Sequence, residues 1–245
     1  MLKRTVIKLS GEAIGGKTHT NLFDDTVIDA IVSQINQVME NGTEVALVVG
    51  GGNIWRGRSH TDMNQAQADN IGMLATVMNG LYLAEAFKRV YRAAKVVTPI
   101  TVGEMTLRYN RETALELMAG GTVIINAAGL GHPYFSTDTV SALRSAELNA
   151  EMLLFAKNID GVYDRNPSQH KDAKKYRALS YKHAIASGLN AADIAAMHLA
   201  NEARIPSFMF ELAKPGSLIK ACKFPETAPL EGTYLDVDIK EDFYV

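Results

Sequence analysis

The chain is poor in the features that mark secreted, membrane-bound and nucleic-acid-binding proteins. It has one cysteine, Cys222, in 245 residues. That excludes an internal disulfide framework and suits a reducing compartment, so the cytoplasm is the expected location. Lysine and arginine (25) nearly balance aspartate and glutamate (27), leaving a formal charge of −2 and no electrostatic footprint for DNA, RNA or an anionic membrane. Any phosphate bound here has to be held by a local site. No apolar run approaches the roughly 20 residues that span a bilayer. Residues 1–9 are too short, and too quickly followed by Ser10 and Gly11, to read as a signal sequence. Repeats, linkers and low-complexity segments are missing too. The six histidines show no pairing at metal-ligand spacing, and His183 and His198 fall on predicted helices, where packing or exposure accounts for them. No protein-built metal site is expected. Cys222 lacks a nucleophile signature and is read as structural.

What remains is enough for a full core, with 47% hydrophobic and 21% charged residues, and one α/β domain over residues 1–245 is the simplest reading. A β-branched strand at 5–9 ends in Ser10-Gly11. Asp24 or Asp25 then caps a helix whose Val27, Ile28, Ile31, Ile35, Val38 and Met39 share one face. Gly42 stops it, and 44–49 is an almost continuously apolar strand. Residues 69–92 form a long helix, apolar over much of its circumference, of the kind that packs deep inside or at a subunit contact. Strands at 95–98, 122–127, 152–155 and 207–210 alternate with helices at 110–118, 137–149, 180–187 and 190–204, and a last helix starts at Pro215. This alternation predicts a three-layer α/β/α sandwich on a mostly parallel sheet, with ligands at the carboxyl ends of the strands.

Four glycine-bearing loops follow predicted strands: Ser10-Gly11, Gly50-Gly51-Gly52-Asn53, Ala128-Gly129-Leu130-Gly131 and Asn158-Ile159-Asp160-Gly161. Consecutive glycines let backbone N–H groups approach phosphate oxygens, although a lone Gly-Gly-Gly serves equally as a tight turn. Arg56, four residues on, adds a guanidinium fork and favours the phosphate. Gly11 to Thr18 also satisfies the Walker A pattern, but that motif needs a helix opening at Lys17-Thr18, and the helix signal starts only at Asp24 or Asp25. The nicotinamide fingerprint is absent after the first strand. Ser136-Thr137-Asp138 begins a helix, either as an ordinary cap or as an anion site beside the aromatic surface of Tyr134 and Phe135. Lys8, on an otherwise apolar strand, either snorkels from an edge or points at a ligand, and the Ser10-Gly11 turn that ends the strand favours the ligand.

Taken in order, Lys8-Leu9-Ser10-Gly11-Glu12-Ala13, Gly50-Gly51-Gly52-Asn53-Ile54-Trp55-Arg56-Gly57, Gly72-Met73-Leu74-Ala75-Thr76-Val77-Met78-Asn79-Gly80 and Gly131-His132-Pro133-Tyr134-Phe135-Ser136-Thr137-Asp138 resemble the bacterial uridylate (UMP) kinases. These belong to the amino-acid kinase superfold. Asp160-Gly161-Val162-Tyr163 and Lys214-Pro215-Gly216 extend the resemblance, which covers roughly residues 4–233. It implies transfer of the γ-phosphoryl of ATP to UMP with magnesium, in pyrimidine nucleotide biosynthesis, by a cytoplasmic homohexamer. By resemblance, Lys8, Leu9, Ser10, Gly11, Gly52 and Arg56 would hold the ATP phosphates, and Asn158, Tyr163 and Asn166 its adenine and ribose. Gly51 would face UMP, Asp69 its ribose, and Leu130, Gly131, His132, Pro133, Tyr134, Phe135, Ser136 and Thr137 its uracil and α-phosphate. Asp138 and Asp193 match the catalytic-site aspartates, beside Lys8 and Arg56. The sequence departs from the family at Asn166, where aspartate is usual, and at Gln65, where many relatives have arginine. Its acidic, aromatic segment from Tyr234 onward is longer than usual and has no assigned task. A nucleotide-binding regulatory or storage protein on the same fold is the alternative reading.

Overall fold

The computed structural model describes residues 1–15, 21–57, 62–223 and 231–244. Ten strands form one sheet in the order β10-β7-β9-β8-β6-β1-β2-β5-β3-β4. Its centre is β1 (Arg4–Leu9), parallel to β2 (Glu44–Val49) on one side and to β6 (Met152–Lys157) on the other. Beyond β2 lie β5 (Val123–Asn126), β3 (Ala94–Thr98) and β4 (Leu107–Arg108), all parallel. Beyond β6 lies β8 (Ser207–Glu211), then the antiparallel β9 (Gly232–Asp236), β7 (Tyr176–Ser180) parallel to β9, and the antiparallel β10 (Asp242–Phe243) at the edge. The chain builds the sheet outward from β1 in both directions. The carboxyl end of β1 is therefore the switch point at which a parallel sheet opens a crevice.

Alternation along the central strands supplies two cores. Ile7 and Leu9 of β1, Leu47 of β2 and Leu154 of β6 pack under α2 (Asp25–Glu40), α3 (Gln65–Lys88) and α8 (Ser217–Cys222), where Cys222 is buried. Val6, Val48 and Leu153 face the other layer: α4 (Arg111–Ala119), α5 (Thr137–Glu147), α6 (Tyr181–Ala186) and α7 (Ile194–Glu202). Burial on both faces explains why these strands read as apolar runs.

The helix starts follow their caps. Asp24 accepts from Thr26 N and Val27 N, so α2 begins where the sequence predicts. Asn64 caps α3, which starts four residues ahead of the predicted Asp69 and ends at Lys88, short of Arg92. Asp193 caps α7, so the predicted helix from 190 opens only at Ile194, and the helix expected from Pro215 opens at Ser217. A short helix, α1 (Gly11–Ile14), directly follows β1. Gly16, Lys17 and Thr18 of the Walker-like string lie outside the described residues. β7, β9 and β10 come from segments for which the sequence predicts no strand. No described helix is long and apolar enough to cross a membrane.

Candidate active site

The glycine loops meet backbone to backbone. An added Cβ on Gly11 would lie 2.4 Å from Gly52 N, and one on Gly50 2.8 Å from Gly11 N. The turn after β1 and the turn after β2 thus pack against each other, a contact closed to any side chain. Glycine is needed for this approach whether or not a phosphate is bound. Asn79 of α3, fully buried, locks the second turn: its amide donates to Gly50 O (2.6 Å) and to Asn53 Oδ1 (2.7 Å). The Gly72-to-Gly80 string therefore acts partly as the support of the glycine turn.

A cleft of about 930 Å³ opens over these strand ends. Its floor holds the charged cluster of the site. Lys8, at the penultimate position of β1, sits 3.0 Å from Asp138 Oδ1, and Lys157, the last residue of β6, sits 3.4 Å from Asp138 Oδ2. Lys157 also donates to Ala191 O at 2.7 Å. Burial alone would push the Asp138 carboxyl up, but the two ammonium groups outweigh it and hold the carboxyl below its ordinary value. Burial pulls Lys157 below the ordinary lysine value, with Lys8 adding to that and Asp138 opposing it. These two ammonium groups share one carboxylate, which leaves a positive charge over among the three.

Ser136 caps α5, accepting from Asp138 N at 3.0 Å, and its hydroxyl is hydrogen-bonded to Asp193 Oδ2. Asp193 also accepts from Thr139 Oγ1 (3.0 Å) and from Ala196 N (2.8 Å) at the start of α7. Both helices thus open at the cleft with their caps linked, and the free N–H groups of the 11-residue α5 face it. On the opposite wall Asp69 accepts from Tyr134 N (2.8 Å) and Gln65 Nε2 (2.7 Å), tying α3 to the loop after β5. That loop is strained: Ala128 (φ 59°) and Tyr134 (φ 71°) both adopt left-handed conformations, a feature concentrated at functional sites.

Of the residues singled out in the sequence, Lys8, Gly51, Asp69, His132, Tyr134, Phe135, Ser136, Thr137, Asp138 and Asp193 line this cleft. Leu9 does not: its side chain is fully buried in the core and only its backbone reaches the turn, accepting from Gly50 N at 2.9 Å. Ser10 caps α1, Gly11 is enclosed by the second turn, and Gly52 stands beside Glu12. Arg56 is exposed and paired with Glu12 at 2.5 Å. Leu130, Gly131 and Pro133 form the strained loop without lining the cleft. Asn158, Tyr163 and Asn166 also lie outside its lining: Tyr163 donates to Asp160 Oδ1 at 2.8 Å, and exposed Asn166 caps a turn by accepting from Ser168 N at 2.9 Å. The sequence reading missed Lys157. Its signal was a lysine ending an apolar run ahead of a polar loop, the setting that identified Lys8. Trp55, Met73 and Thr76 complete the wall beside Gly51, and Ile185, Leu189 and Met197 line the side formed by α6 and α7.

Among the described residues no three His, Cys, Asp or Glu side chains converge to form a metal cage. Asp69, Asp138 and Asp193 are the carboxylates that line the cleft.

The sequence profile of the amino acid kinase family matches residues 3–211. The whole chain superposes on the crystal structure of a UMP kinase from Bacillus anthracis, covering 99% of it, at 31% identity and a TM-score of 0.93. A UMP kinase from Ureaplasma parvum matches over 96% of this chain and 98% of its own, at 31% identity and a TM-score of 0.88. A uridylate kinase from Archaeoglobus fulgidus shares the fold over 94% of this chain and 99% of its own, at 24% identity and a TM-score of 0.72.

Proposed function

This chain belongs to the amino acid kinase family, and we propose that it transfers the γ-phosphoryl group of ATP to UMP, giving UDP. The observation that carries the transfer is the Lys8–Asp138–Lys157 cluster, a buried and a half-buried ammonium group on one carboxylate at the floor of the cleft. Phosphoryl transfer between two anions requires charge neutralisation and alignment more than a covalent nucleophile. Lys8 and Lys157 face the transferring group, and their positive charge stabilises the oxygens on which charge accumulates. Asp138 keeps the two ammonium groups a fixed distance apart.

UMP is favoured as acceptor by the full-length likeness to two UMP kinases at 31% identity and by the chemistry of the α3 side. There Asp69 can accept from ribose hydroxyls, the aromatic loop of Tyr134 and Phe135 offers a surface for the base, and the α5 amino terminus with Ser136 and Thr137 suits a phosphate. The donor's phosphates fit the Ser10–Gly11 and Gly52–Arg56 turns, with the nucleoside over the loop from Asn158 to Asn166. A magnesium ion would arrive on the ATP phosphates and supply further charge neutralisation. Of the three carboxylates on the cleft, which form no cage among the described residues, Asp138 and Asp193 suit an ion held mainly by phosphate oxygens and water. In keeping with this role we place the protein in the cytoplasm, in pyrimidine nucleotide synthesis. Ile71, Leu74 and Met78, exposed along one side of α3, suit a homo-oligomeric contact such as that of a hexamer.

The test is a substrate panel. ATP and magnesium are supplied with UMP, CMP, glutamate or carbamate, and UDP is expected as the dominant product. No UDP above background would overturn the reading.

A further inference from the structure

The carboxyl-terminal segment, to which the sequence assigns no task, touches the nucleotide-facing side of the molecule through a short chain of contacts. The loop that follows Lys157 contains Asn158, Asp160 and Tyr163, and it is held at three points, one of them within the loop itself. Val162 N donates to Thr233 Oγ1 at 2.8 Å, Tyr163 donates to Asp160 Oδ1 at 2.8 Å, and Lys175 Nζ holds Asp160 Oδ2 at 2.8 Å. Two of the pins stand at the starts of neighbouring strands: Lys175 directly precedes β7, and Thr233 is the second residue of β9. The β7–β9 pairing begins only at Ala178 and Tyr234, and ahead of that ladder the two starts are joined by side chains, Thr233 Oγ1 donating to Tyr176 O at 2.6 Å and Lys175 Nζ pairing with Glu231 at 2.9 Å.

Tyr244 ties them further. Its N–H donates to Lys175 O at 3.0 Å, its hydroxyl donates to Gly232 O at 2.9 Å and accepts from Gly232 N at 3.2 Å, and its ring centroid lies 4.6 Å from Lys175 Nζ. The segment is anchored independently along β7, by Phe243 stacked on Tyr176 at 4.2 Å, by the Arg177–Asp242 ion pair, and by Ser180 Oγ donating to Glu241 at 3.0 Å.

We propose that residues 241–244 form a positioning strap for the donor loop, and that Tyr244, by joining the starts of β7 and β9, sets affinity for the ATP side of the reaction while leaving the UMP side alone. This rests on the assignment of the donor nucleoside to the loop after Lys157. It also follows from connectivity: a donor with its phosphates at Lys157 has to extend over the residues that leave β6 there. None of the strap residues lines the cleft, so Tyr244 acts through Lys175, Asp160 and Thr233.

The experiment titrates the full chain, Tyr244→Phe and Tyr244→Ala separately with AMP-PNP in magnesium buffer and with UMP. Amide exchange of the 160–163 and 69–80 segments is followed without nucleotide. Tyr244→Ala should weaken AMP-PNP binding about fivefold and Tyr244→Phe, which keeps the ring and the backbone bond, about twofold, the size expected for one or two lost hydrogen bonds. UMP binding should stay within about twofold, and exchange should quicken at 160–163 only. Unchanged AMP-PNP binding, or an equal loss for both nucleotides, would overturn the strap, and Tyr244→Phe decides this if Tyr244→Ala does not fold. An unaltered chain that binds AMP-PNP but forms no UDP would sink the functional reading and leave the strap to be judged by the binding and exchange results.

Discussion

Two clusters of lysine and carboxylate in this molecule differ in what they leave over. Asp138, on the cleft floor, sits between Lys8 and Lys157. Asp160, outside the cleft, is held by Lys175 at 2.8 Å, with Lys214 at 4.0 Å. The same lysines also meet Glu231, at 2.9 and 3.6 Å, and Lys214 meets Glu211 at 3.7 Å. The outer cluster thus has three carboxylates for two ammonium groups, and hydrogen bonds to Asp160 and Glu231 raise Lys175 above the ordinary lysine value although burial works against it. In the inner cluster two ammonium groups contact a single carboxylate, with Asp193 acting on Lys157 from farther off, and burial lowers Lys157. Ammonium groups with one direct carboxylate partner between them can still take up an anion, whereas a saturated cluster holds a fold together. Similar residue types do opposite jobs because the local charge count differs.

Removing each carboxylate should separate the two most widely. Asp138→Asn strands the two ammonium groups and is expected to cost about 3–5 kcal/mol of stability. Asp160→Asn leaves Lys175 with Glu231 and should cost about 1 kcal/mol or less, both read from denaturant unfolding. Because the folded value of Asp138 is lowered, its contribution is present above the unfolded carboxyl value of 3.8 and disappears as pH falls through the folded one. The deficit of Asp138→Asn should therefore shrink in acid. The frame of the inner cluster can be tested next. Gly11→Ala would force backbone against backbone and should cost about 1–3 kcal/mol. Gly52→Ala meets only Glu12 at 3.6 Å and should stay within about 0.5 kcal/mol. The smallest signal is protonic: an anion bound at the inner cluster raises Lys157 back toward the ordinary value, so across a pH series below that ordinary value ATP binding should show a proton uptake that grows with pH. Calorimetry in buffers of different ionisation enthalpy should find that uptake lost in Lys157→Met and kept in Lys175→Met.

The central half of this arrangement was legible in the sequence. Continuous apolar runs marked β1 and β2, Asp24 and Asn110 marked helix starts, and the glycine turns with Lys8, Asp138 and Asp193 marked the cleft. Legibility failed where partners from elsewhere in the chain decide the outcome. β7 and β9 are short and mixed in character; β9 becomes a strand because β8 offers an edge, and β7 because β9 then offers the next. Lys157 extends a strand whose apolar pattern stops at Ala156, and although a lysine ending that run is a local signal, its place beside Lys8 is set by the β1–β6 register. Asn64 rather than Asp69 begins α3, which frees Asp69 to face the loop after β5. The tail's role as an edge strand depends on Tyr176, Arg177 and Ser180, some sixty residues earlier, contacts that no pattern within the tail encodes.

The most direct test of the account compares the rate of UDP formation from saturating ATP and UMP in the unaltered chain, Lys157→Met and Lys175→Met. If the inner cluster stabilises the transferring phosphoryl group, Lys157→Met should lower kcat about a hundred- to a thousandfold, while Lys175→Met, whose lysine sits in the saturated cluster, should keep kcat within about threefold. Equal losses in the two variants, or full activity in Lys157→Met, would contradict it.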